Sequence, residues 1–72
     1  MALEIMHIDT NRVEGVLDGV LPFALEREGT NLIARINSWS RRIADRSITT
    51  IAEMRLTAYE ALARYREDLA RA

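Results

Sequence analysis

Apolar positions recur along most of the chain at intervals of three and four. Val13, Val16, Leu17, Val20, Leu21, Ala24 and Leu25 keep this spacing, which is the stripe of an amphipathic helix. A first helix is therefore predicted over 10–28. Asp9 or Thr10 would act as its N-cap, since short oxygen-bearing side chains accept from free first-turn N–H groups. Pro22 has no N–H and would clash with the Asp18 carbonyl, so the helix is expected to kink near residue 22. Gly29 would sit at the left-handed position that closes a helix.

A second stripe runs through Leu32, Ile33, Ile36, Trp39, Ile43 and Ala44 and predicts a helix over 30–46, capped by Thr30 or Asn31. Ser47-Ile48-Thr49-Thr50 interrupts it with four residues of modest helix propensity. Thr50-Ile51-Ala52-Glu53 has the capping-box spacing and predicts a third helix over 50–71. The alternative is no break. Ile36, Trp39, Ile43, Ser47, Ile51, Met54, Ala58, Leu62, Tyr65 and Leu69 also advance by threes and fours, so one helix from 31 to 71, roughly 60 Å long, fits as well.

Residues 1–9 differ. Leu3, Ile5 and His7 alternate, which suggests a short strand or extended arm. A lone strand is unstable in water, so its natural partner is the same strand of a second copy. The expected fold is all-α, a single domain over 1–72 with an N-terminal arm and two or three amphipathic helices. It is expected to form an intertwined homodimer, because so short a chain cannot cover its own stripes. The residues assigned to the core or dimer interface are Val13, Val16, Leu17, Val20, Leu21, Ile36, Ile43, Ile51, Met54, Leu62, Tyr65 and Leu69.

Composition narrows the function. The 72 residues carry a formal net charge of −1 and no cysteine. Domains whose main job is to neutralise a nucleic-acid phosphate backbone are usually strongly basic, and thiolate metal sites and disulfides are ruled out. All ten basic residues are arginine. Charge is unevenly placed. Residues 1–29 hold Glu4, Asp9, Glu14, Asp18, Glu26 and Glu28 against Arg12 and Arg27, whereas 30–46 hold Arg35, Arg41, Arg42 and Arg46 against Asp45. These four arginines make either a basic face for an acidic partner or phosphate, or a face neutralised by the acidic first helix.

Catalytic and ligand-binding patterns are not found. His7 is the lone histidine and has no ligand-spaced neighbour, so no metal is expected. Ser38, Ser40 and Ser47 have no nearby histidine base. Gly15 and Gly19 have a small-xxx-small spacing, read as packing within a charged segment. No cofactor is expected. The longest uncharged apolar stretch, Gly19 to Leu25, is far below the roughly 20 residues of a membrane span. No membrane partner is expected and the assigned compartment is the cytoplasm.

Two DNA-binding arrangements fit the residues only in part. Ile43 to Glu53 resembles the centre of a helix-turn-helix unit, but Ile48 falls where the turn favours glycine. The strand-plus-helices order is similar to a ribbon-helix-helix dimer, but no arginine precedes Arg12. The expected function is a non-enzymatic regulator or inhibitor that docks a helical face onto a larger protein, in the manner of adaptors, antitoxins and phage-type host-takeover inhibitors. Arg35, Arg41, Arg42, Arg46, Trp39 and Tyr59 are the candidate partner-binding residues. The alternative is a small dimeric DNA-binding regulator using the arginines of the second helix.

Overall fold

The structure is a computed structural model that describes residues 1–71. Five strands, β1 (Leu3–Ile8), β2 (Arg12–Leu17), β3 (Leu21–Glu28), β4 (Asn31–Ile36) and β5 (Trp39–Asp45), precede one helix, α1 (Ile51–Arg71). The strands form an antiparallel meander in sequence order. The all-α expectation is thus corrected: the helices predicted over 10–28 and 30–46 are β2–β3 and β4–β5. Only the third predicted helix has a helical counterpart, and it does not continue back through residue 31.

The physical reason is that two periods fit the same residues. Val13, Leu17, Leu21 and Leu25 are spaced for a helix but also face one way along two strands joined by a turn. Side chains two apart in a strand share a face, and Val13, Leu17, Phe23, Leu25, Leu32, Ala34 and Ile36 are all buried on one side. The turns decide between the two periods. Asp18 and Gly19 both have positive φ (52° and 74°), and Leu17 pairs with Leu21 across the three-residue loop. Gly29, with φ 64°, opens the two-residue loop between Glu28 and Asn31, where type II′ hairpins place glycine. Asn37, with φ 56°, turns β4 into β5. Gly29 therefore has the left-handed backbone expected of it, in a hairpin and not at a helix end.

Other expected features are also relocated. Asp9 accepts from the N–H groups of Asn11 and Arg12 at 2.7 and 2.9 Å, which is capping chemistry, but it closes the β1–β2 turn. Pro22 causes no kink. It stands at the second position of β3, and β4 pairs with β3 only from Phe23 onward, so the missing N–H takes no bond from that ladder. β1 lies where a strand was expected, and it pairs with β2 of its own chain.

α1 lies across the buried face. Thr50 caps it, its hydroxyl oxygen accepting from the Glu53 N–H at 3.1 Å. Met54, Ala58, Ala61, Leu62 and Tyr65 face the sheet with the buried Thr57. The two alanines keep the helix close to the strands. Thr57 is satisfied by donating to the Glu53 carbonyl at 2.8 Å and accepting from Arg46 at 3.3 Å. Ile48, in the linker, is buried beside this layer. Arg27, which points to the helix side of β3, fixes the linker by donating to the carbonyls of Thr10 and Ile48, each at 2.8 Å.

The folded chain exposes 4481 Å², close to the roughly 4,500 Å² expected for a compact monomer of its mass. The chain covers its own core, and intertwining is not needed to form it.

Two consequences can be measured. A Cβ on Gly15 would lie 2.3 Å from the Glu4 carbonyl oxygen of the neighbouring strand. Gly15→Ala must therefore push β1 away, and a loss of about 1–3 kcal/mol in urea unfolding is expected. Arg27→Ala frees two carbonyls in different loops and is expected to cost about 2 kcal/mol in the same assay. For either variant, a midpoint equal to the wild type would contradict the assigned contacts.

Candidate functional site

The four arginines expected to share a face are separated by the sheet. Along β4 and β5 alternate residues point to opposite sides, and a bulge between Leu32 and Ile33 shifts the register of β5. Arg35 lies on the open side of the sheet, 2.7 Å from Glu28 and 3.6 Å from Glu26. Glu28 is the main cause of its raised pKa. Arg41 turns to the helix side and pairs with Asp68 at 2.9 Å. Arg46 reaches Glu60 at 3.5 Å and Thr57. Arg42, exposed on the open side, forms no ion pair among the described residues. The helix on which the arginines were placed is absent, and three of the four are committed to carboxylates.

Trp39 is held in place. Its ring meets Tyr65 edge-on at 5.2 Å between centroids, and its indole N–H donates to Asp68 at 2.8 Å. Asp68 thus receives Trp39 and Arg41 on its two oxygens and fastens the last turns of α1 to β5. The Trp39 hydrogen bond, followed by that of Arg41, holds its carboxyl below the usual carboxylate range. Sequence reading missed Asp68, because its partners lie 29 and 27 residues away.

The expected core residues divide. Val13, Leu17, Ile36, Met54, Leu62 and Tyr65 are buried; Leu21 and Ile43 are half-buried against them. Val16 is on the open side of the sheet, and Val20, at the tip of the β2–β3 turn, is 76% exposed. Ile51 and Leu69 border the helix–sheet contact and are about half exposed.

The surface of α1 away from the sheet is the most organised candidate site. Ala52, Leu56, Tyr59, Ala63, Arg66 and Ala70 follow one another at alternating intervals of four and three, and all are exposed. Leu56 is 65% exposed and Tyr59 47%. Glu53, Glu60 and Glu67 run along one edge at intervals of seven, and Arg55 lies on the other. A shallow depression is lined by Ala63, Arg66, Glu67 and Ala70. Tyr59, a candidate contact residue from the sequence, belongs to this face. Leu56 was passed over because it falls outside the stripe that runs through Met54, Ala58 and Leu62, although its spacing to Tyr59 and Ala63 could have revealed a second stripe.

Elsewhere the chemistry is sparse. His7 contacts Asp9 at 2.7 Å, and this contact, with the N–H groups of Asn11 and Arg12, lowers the Asp9 pKa to about 2. Among the described residues no three His, Cys, Asp or Glu side chains are grouped to hold a metal ion. Among the described residues no helix is long and apolar enough to cross a membrane. No family model, curated protein or solved structure matches the chain.

Asp9 and Asp68 both ionise more readily in the folded state. Their stabilisation is therefore complete above the unfolded carboxyl value of roughly 3.9 and is lost as the pH falls through the folded-state value of each group, which for Asp9 is about 2 and for Asp68 lies below the usual carboxylate range. Trp39 is the single tryptophan, so its fluorescence reports the anchor directly. Asp68→Asn is expected to lower stability at pH 7 and to flatten its decline as the pH falls through the carboxylate range. An unchanged acid profile would contradict the role given to Asp68.

Proposed function

We propose that this chain is a small non-enzymatic protein-binding module of the regulator or inhibitor kind, docking through the outer face of α1. The observation that carries the reading is that α1 has two apolar faces and the sheet covers one. Burying a leucine-sized side chain is worth roughly 1.5–3 kcal/mol, and Leu56 and Tyr59 leave that gain for a partner. A stripe at spacings of three and four on an exposed helix suits the recognition mode in which anchors enter a groove or a second helix. Tyrosine and arginine, present here as Tyr59 and Arg66, are common at the centres of such contacts. The sheet holds the helix rigid, so little ordering is needed on binding. The reading places the chain in the cytoplasm, in keeping with its lack of cysteine.

Leu56→Asp and Tyr59→Ala test this. Each changes an exposed side chain, so stability is expected to stay within about 0.5 kcal/mol of wild type. Both are expected to abolish wild-type protein contacts in chemical cross-linking and in affinity capture, while Val20→Asp, a change at a still more exposed apolar residue away from α1, leaves them intact. Contacts that survive both α1 variants would overturn the reading.

A further inference from the structure

We infer that the occupant of the α1 outer face is the α1 of a second copy of this chain, lying parallel to it in heptad register. The inference rests on the docking reading above and names its partner. Alternating steps of four and three are the coiled-coil repeat, in which two seam positions per seven residues meet the facing helix. Leu56, Ala63 and Ala70 occupy one seam position; Ala52, Tyr59 and Arg66 occupy the other. The seam lies opposite the Met54–Ala58–Ala61 face, so the sheet of each copy stands on the outer side of the pair. The alanines bring the helix backbones close together, with Leu56 and Tyr59 as the large knobs between them.

Charge selects both the partner and its direction. In a parallel pair the residue preceding the first seam position faces the residue that follows the second, five positions on, in the other helix. That sets Arg55 of each copy against Glu60 of the partner subunit, twice by symmetry. Glu60 is half exposed and its present contact with Arg46 is 3.5 Å long, so it can accept a second cation. In an antiparallel pair the row Glu53, Glu60 and Glu67 would run against itself, which is repulsive. Arg66 is the single charged seam residue. In the parallel pair Arg66 meets Arg66 of the partner subunit, a like-charge contact that costs stability and that both side chains relieve by turning outward to the rim beside the acidic row. A lone polar residue in a seam fixes register at such a cost.

Because the chain has no cysteine, single cysteines report the geometry cleanly. In a parallel pair each seam residue faces its own counterpart. Leu56→Cys and Tyr59→Cys are each expected to form disulfide-linked dimers under mild oxidation, and Ala24→Cys, on the open side of the sheet, is not. Light scattering of the wild type is expected to give the mass of two chains, and Leu56→Asp the mass of one. Arg55→Glu and Glu60→Arg are each expected to weaken the dimer, and the double swap to restore it.

A wild type that stays single from micromolar to millimolar concentration would overturn the inference. If Leu56→Asp nevertheless abolished cross-linking to another protein, the docking reading would stand without a second copy. Cross-linking of mixed Tyr59→Cys and Ala63→Cys, with no self-linking of Leu56→Cys, would show an antiparallel pair and overturn the direction. A dimer indifferent to Leu56→Asp would overturn the inference and remove support from the docking reading as well.

Discussion

Five strands share one buried face, and one 21-residue helix covers it; every other feature follows from that contact. For the inward side chains of β2, β3 and β4 to meet the helix together, their registers must be held to the residue. A slip of one position would turn Leu25 or Leu32 to water. The turns hold the registers: Asp18-Gly19, Gly29 and Asn37 each take the positive φ that a tight connection needs. On the helix side, Ala58 and Ala61 allow close approach, and Met54, Leu62 and Tyr65 fill the space beside them. The helix is fastened at both ends, by the Thr50 cap and by Asp68 between Trp39 and Arg41.

Among the described residues, the inner face of α1 completes the core, while on its outer face Leu56 and Tyr59 stay exposed. The sheet also has an open side, with Val16, Ala24 and Ile33 half-buried among charged residues. There, however, Arg12–Glu14 and Arg35–Glu28 already pair within the sheet, and the apolar residues are small or half covered. The helix differs in having large side chains exposed in a regular line with unlike charges on its two borders.

The sequence was most informative where local chemistry acts alone. The Thr50–Glu53 spacing located the start of α1, the alternation of Leu3 and Ile5 pointed to β1, and the position of Tyr59 off the buried stripe marked it as exposed. It misled where two periods overlap. Spacings of three and four between Val13 and Leu25 also describe two strands whose inward positions are 13, 15 and 17, then 21, 23 and 25. The deciding signal was Asp18-Gly19, a dipeptide typical of hairpin turns, and a turn there breaks any helix through it. The arginines misled for a related reason: on a helix, positions 35, 42 and 46 fall together, but here Arg35 and Arg42 lie on the open side of the sheet, whereas Arg46, just past β5, reaches Thr57 and Glu60 of α1. Trp39–Asp68 and Arg27–Ile48 could not be read at all, since nothing local links residues so far apart.

Concentration-dependent NMR of the backbone amides, with cross-strand contacts recorded in the same sample, tests the central claim most directly. The account predicts close approach of Val13 to Leu25 and of Leu25 to Ala34 at every concentration, with shifts on concentrating confined to Ala52, Leu56, Tyr59, Ala63 and their neighbours on α1. Helical contacts through residues 10–28, or shifts that spare α1 and gather on β1 or the open side of the sheet, would contradict it.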